Sequence, residues 1–121
     1  MTSTTLRHHR AVGILCTMLF AGLALSGPAV PAEELPVHRL VVRDSGFEPK
    51  TLEVAAGKRF KIEISNESKG PIEFESRELK QEKVLAAGAK SSVVINGLKP
   101  GTYAFFDDFR PDTAKGQIVA K

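Results

Sequence analysis

The stretch Arg59–Ser65 constrains this chain more than any other. Phe60, Ile62 and Ile64 alternate with Arg59, Lys61, Glu63 and Ser65, a period of two that gives a strand one dry face and one wet face. A helix would scatter the same apolar residues around its circumference. A strand with one dry face has to cover it with another layer. The rest of the chain offers segments of the same kind: Pro36–Arg43, Thr51–Val54, Ile72–Glu75, Glu82–Leu85, Ser91–Ile95, Thr102–Phe106 and Gln117–Ala120. They recur at about eight-to-twelve-residue spacing with Gly at most turns, and no long helical period interrupts them. Ser76–Gln81 reads as irregular, with room for one helical turn. The expectation is an all-β, Greek-key β-sandwich of about seven or eight short strands.

The first 32 residues read as a leader rather than as part of that fold. Arg7, His8, His9 and Arg10 make a basic start, Ala11–Leu25 is an apolar run, and Ser26–Ala32 is a small-residue exit. That is the three-part layout of a secretory signal peptide, with cleavage expected after Ala32. The apolar run falls short of the roughly 20 residues that span a bilayer. Residues 1–32 are therefore expected to be removed, leaving one domain over residues 33–121 and a periplasmic location.

Cleavage would change the chemistry available. The single cysteine, Cys16, lies in the apolar run, and two of the three histidines lie ahead of it. The processed chain would hold no disulfide, no thiolate and one imidazole, His38, which reads as a surface residue. Without Arg7 and Arg10, the 17 Lys plus Arg come down to a net charge of +1 against 14 Asp plus Glu. No one-sided basic cluster with interleaved aromatics marks a nucleic-acid surface. Enzyme chemistry finds no support either: there is no Ser/His/Asp arrangement, no Gly-rich phosphate loop and no zinc spacing.

The C-terminal stretch carries a family resemblance. Pro100-Gly101-Thr102-Tyr103-Ala104-Phe105-Phe106, then a polar loop, then Gly116-Gln117-Ile118-Val119-Ala120 resembles the closing strand pair of the cupredoxins. Phe47-Glu48-Pro49, Leu52-Glu53-Val54, Gly57 and an alternating strand ending in Asn66 resemble their first half. In blue-copper members the loop carries in order a Cys, a His and a Met. Laid on this sequence those positions hold Asp107, Arg110 and Thr113, and the earlier His falls at Ile72 or Glu73. A type 1 copper centre needs a Cys sulfur and two His nitrogens, so none is expected.

Within that superfamily, Ile72–Ser76, Glu78-Leu79, Lys83-Val84 and Leu98–Tyr103 look like the EfeO-type cupredoxin-like domains. That resemblance implies an exported accessory metal-binding component of ferrous-iron uptake, working beside a membrane iron permease and a periplasmic iron-binding protein, with a ferroxidase-like role implied by resemblance alone. In that group a His often stands where this chain has Arg110.

The acidic end is where such a role would sit. Carboxylates of Glu73, Glu75, Asp107, Asp108 and Asp112 are the candidate ligands for iron or copper(II), since oxygen donors suit hard and borderline cations. Asp107 shares parity with Tyr103 and Phe105 and so points inward, where a carboxylate needs a cation, Arg110 or backbone N–H groups. Arg110 is placed to neutralise Asp107 and Asp112 without any metal. The alternative function, from a different class, is a metal-free interaction module docking on another envelope protein through Phe106, Phe109 and Arg110.

Overall fold

The computed structural model describes residues 27–29 and 32–121; the expected leader falls largely outside the described residues. A compact unit spans Ala32–Lys121. It contains nine strands: β1 (Val37–Arg43), β2 (Gly46–Glu48), β3 (Thr51–Val54), β4 (Phe60–Asn66), β5 (Ile72–Ser76), β6 (Gln81–Leu85), β7 (Lys90–Ile95), β8 (Gly101–Asp107) and β9 (Lys115–Ala120). No helix occurs among the described residues. The extra strand is β2, which pairs antiparallel with the end of β1 through Val42↔Phe47 and Arg43↔Gly46. Its three residues are too few to show a period. The helical turn allowed for Ser76–Gln81 is a tight reverse turn instead. Lys80 takes a left-handed backbone (φ 52°), which closes β5 onto β6 in register, Ser76 opposite Gln81.

The strands form two sheets, one in the order β2-β1-β4-β7 and the other in the order β3-β9-β8-β5-β6. The chain passes back and forth between them, which is the Greek-key sandwich expected of the sequence. The pairs β1/β4 and β3/β9 are parallel; the remaining pairs are antiparallel. Alternation is obeyed closely. Phe60, Ile62 and Ile64 of β4 are buried, and they meet Ile72 and Phe74 of β5, Phe105 of β8 and Ile118 of β9 in one core. Each such side chain removed from water contributes about 1.5–3 kcal/mol.

At one end of the core Phe47, Phe74 and Phe105 form an aromatic cluster. Phe47 meets Phe105 edge-on at 5.0 Å between ring centroids and Phe74 at 6.4 Å. The close approach of β9 to this cluster explains Gly116. A Cβ there would lie 2.4 Å from the Phe105 ring and 2.8 Å from the Lys50 carbonyl oxygen, so no larger residue fits without displacing β8 or β3. This packed floor supports the polar end of the sandwich.

Candidate functional site

Asp107 ends β8 directly above the aromatic floor, opposite Phe74 of β5. It follows the inward parity of Phe105 and is fully buried, at 0% exposure. Burying a carboxylate without partners costs several kcal/mol, and here every partner is present. Asp107 Oδ1 accepts the Glu73 N–H at 2.9 Å and the Phe109 N–H at 3.2 Å. Asp107 Oδ2 accepts Arg110 Nε–H at 2.9 Å. No buried side-chain nitrogen or oxygen among the described residues lacks a hydrogen-bond partner.

Arg110 reaches Asp107 because the loop is wound tightly. Asp107 N–H donates to the Ala114 carbonyl, Arg110 N–H to Asp107, and the Thr113 and Ala114 N–H groups both to Arg110. Two successive turns thus bring the guanidinium back over the end of β8. Arg110 also crosses to the other sheet. Its Nη1 donates to the Asp44 carbonyl at 2.9 Å and its Nη2 to the Arg43 carbonyl at 3.3 Å. One side chain, 30% exposed, therefore ties the β8–β9 loop to the β1–β2 turn.

The five candidate ligands do not form one group. Alternation along β5 sends Ile72 and Phe74 into the core and Glu73 and Glu75 to the outer face, whereas Asp107 points inward. Asp108 is exposed, its N–H donating to the Glu73 carbonyl. Asp112 is exposed and makes no ion pair with Arg110; the guanidinium's carboxylate partner is Asp107 alone. Glu75 lies beside Arg77, 3.2 Å from its Nε. Among the described residues no group of three or more His, Cys, Asp or Glu side chains is placed to hold a metal ion.

Glu73 has a neighbour that sequence reasoning missed. Partial burial, followed by hydrogen bonding with Glu82 and the negative charges of Glu82, Asp108 and Glu75, holds its carboxyl above the usual carboxylate range. Glu82 was findable. With Ser76 opposite Gln81, Glu73 faces Val84 and Glu75 faces Glu82, so Glu73 and Glu82 are diagonal neighbours on one face. The Arg43 and Asp44 carbonyls gave no signal, because backbone acceptors carry no residue identity.

The expected contact residues differ among themselves. Phe109 is 51% exposed. Phe106 is half-buried beneath the Arg77 guanidinium, 5.1 Å from its ring centroid. Beside it runs a groove of about 440 Å³ lined by Arg77, Phe106, Pro111, Asp112 and Lys115. Arg110 turns inward to Asp107 and the two carbonyls, leaving Phe109 as the most exposed of the three.

Comparison with known proteins places this arrangement. The model of the cupredoxin-like domain family matches residues 15–120, and the chain belongs to that family. An uncharacterised protein of Rickettsia prowazekii is 27% identical over 117 residues, covering 93% of this chain and 94% of its own length. Auracyanin B shares the fold with a TM-score of 0.59 at 15% identity, over 74% of this chain and 93% of that one. A purple cupredoxin from Nitrosopumilus maritimus gives 0.52 at 15% identity, over 69% and 98%. Dithionite-reduced auracyanin from Roseiflexus castenholzii gives 0.56 at 13% identity, over 74% and 99%.

The donor set does not fit a type 1 copper centre. Asp107, Arg110 and Thr113 supply neither sulfur nor imidazole, and the guanidinium puts a positive charge where a metal ion would need electron pairs. The fold is that of the cupredoxin-like family, and this end of it holds the Asp107–Arg110 ion pair.

Proposed function

We propose that this chain is an exported, periplasmic cupredoxin-like domain that works as a docking module in the cell envelope without a type 1 metal centre. The observation that carries the reading is the buried Asp107–Arg110 pair. It satisfies the end of the sandwich internally and fixes the β8–β9 loop by backbone hydrogen bonds to Asp107, so that Phe109 faces outward. An ordered loop with an exposed aromatic gives a partner contact area at little ordering cost. The basic-apolar-small layout of the N-terminus supports export.

Site-specific crosslinking in living cells tests this. A photoreactive residue in place of Phe109 is expected to give a discrete crosslinked species. The same residue in place of Val94, which is exposed on the opposite sheet, is expected to give none. Equal yields from both positions contradict a dedicated docking end.

A second reading, an accessory metal-binding component of ferrous-iron uptake beside a membrane iron permease and a periplasmic iron-binding protein, has one observation in its favour. The outer face of β5 and β6 gathers Glu73, Glu75 and Glu82 near Asp108, and Glu73 is held above the usual carboxylate range by burial and these neighbours. Calorimetric titration with anaerobic Fe(II), Cu(II) and Mn(II) separates the two. Micromolar binding weakened at least about tenfold, or about 1.4 kcal/mol, by Glu73→Gln supports the metal reading. Absence of binding leaves the docking module.

A further inference from the structure

Arg110 is held by more than its carboxylate partner. Its guanidinium donates to Asp107 Oδ2 at 2.9 Å, to the Asp44 carbonyl at 2.9 Å and to the Arg43 carbonyl at 3.3 Å. The acceptors come from the end of β8 and from the β1–β2 turn, on opposite sheets. Two of them are fixed by contacts that do not involve the Arg110 side chain. Asp107 is set by its pairing with Phe74 and by its Oδ1 bonds to the Glu73 and Phe109 N–H groups. The Arg43 carbonyl is set by the pairing of Arg43 with Gly46.

Three oxygen atoms, each facing a different nitrogen of one guanidinium and one of them from a fully buried anion, define a cation site. The shape of the site also selects its occupant. A planar fork spans one carboxylate oxygen and two adjacent carbonyls at once, which a compact ammonium does not. A hard divalent cation asks for about six oxygens or more, twice what this site offers.

We infer that Asp107 and the carbonyls of Arg43 and Asp44 form a guanidinium-binding socket of the fold, of which the Arg110 side chain is the tethered occupant. The ligand class is a planar guanidinium or a short alkylguanidinium. Because Asp107 and Arg43 belong to strands of the two sheets, the site outlives the loss of the arginine side chain. This inference stands independently of what docks at Phe109.

The test uses the full chain carrying Arg110→Ala, melted alone and in guanidinium chloride, ethylguanidinium chloride, sodium chloride, calcium chloride or manganese chloride at matched ionic strength. At about 20 mM the denaturing action of guanidinium is negligible, because it grows linearly over the molar range. Guanidinium and ethylguanidinium are expected to restore about half or more of the lost melting temperature, by mass action on the folded state. Sodium, calcium and manganese are expected to restore none, and the unsubstituted protein is expected not to respond. Asp107→Asn combined with Arg110→Ala should abolish the rescue. If Arg110→Ala is unfolded without additive, the same titration reads recovery of the folded circular-dichroism signal. Failure of guanidinium to rescue, rescue that persists without the Asp107 charge, or rescue by the divalent cations alone would overturn the inference.

Discussion

Two fully buried polar side chains sit at the same end of this sandwich and solve the same problem differently. Asn66, at the end of β4, is 1% exposed. Its Nδ2 donates to the carbonyls of Gly70, Leu85 and Ala86 at 2.9–3.1 Å. Its Oδ1 accepts from the Ser68 N–H at 3.0 Å and the Ser68 hydroxyl at 2.6 Å. A neutral amide with both donors and acceptors closes its own ring of partners. Asp107 accepts only, and its charge requires a cation as well as N–H groups. The contrast separates a linchpin that any sandwich could use from a charge that needs a counter-charge at one position, Arg110.

Variants that remove or exchange these partners sharpen the contrast. Arg110→Ala is expected to have the largest effect, about 3–5 kcal/mol, because it leaves a buried carboxylate without its cation. Chemical denaturation reads this directly, and at about 4–8 °C per kcal/mol the melting temperature falls by more than ten degrees. A loss below about 1 kcal/mol would mean that the two backbone N–H groups suffice and the regions do not differ.

Asn66→Ala comes next, at about 1–3 kcal/mol, from carbonyls left without donors. Asn66→Asp should be worse than Asn66→Ala, since a carboxylate oxygen would then face three carbonyl oxygens. Equal stabilities for those two variants, compared by urea denaturation, would show that the Nδ2 contacts carry no directional weight.

Gly116→Ala tests the aromatic floor beneath Asp107. Its Cβ would stand 2.4 Å from the Phe105 ring, and overpacking of this kind costs about 1–3 kcal/mol. A thermal melt unchanged by the substitution would show that β8 gives way freely.

The smallest effect lies on the outer face, where charge is wet rather than buried. Glu73 is held above the usual carboxylate range by partial burial and by Glu82, Asp108 and Glu75. The folded state therefore holds this proton more tightly than the unfolded state, so stability falls as pH rises through the carboxylate range. Glu73→Gln should raise the melting temperature slightly at pH 7, and the gain should vanish below about pH 4 as unfolded carboxylates protonate. A gain that persists at low pH would assign it to something other than charge.

Much of this was legible in the sequence, for a physical reason. Alternation at Phe60, Ile62 and Ile64, and at Ile72 and Phe74, is a direct print of a one-sided dry surface, so the strands and the core followed from it. The inward parity of Asp107 with Phe105 placed one carboxylate correctly and predicted its need for Arg110 or N–H partners. Three things were hidden. The strand β2 is too short for a period. Asp112 and Asp107 look equivalent as neighbours of Arg110 in the chain, but the double turn of the loop delivers the guanidinium to Asp107 alone. The Asn66 ring depends on carbonyls from β6 and the turn after it, far along the chain, which a pattern of side chains cannot announce.

A guanidinium–carboxylate pair holds this end of the cupredoxin-like sandwich. A double-mutant cycle on Asp107→Asn and Arg110→Ala, with each stability taken from urea denaturation, tests it most directly. The expected coupling between the two positions is about 1.5–3 kcal/mol, the double variant being far less damaged than the sum of the singles. Losses that add to within about 0.5 kcal/mol would contradict it, because independent residues cannot jointly hold the loop.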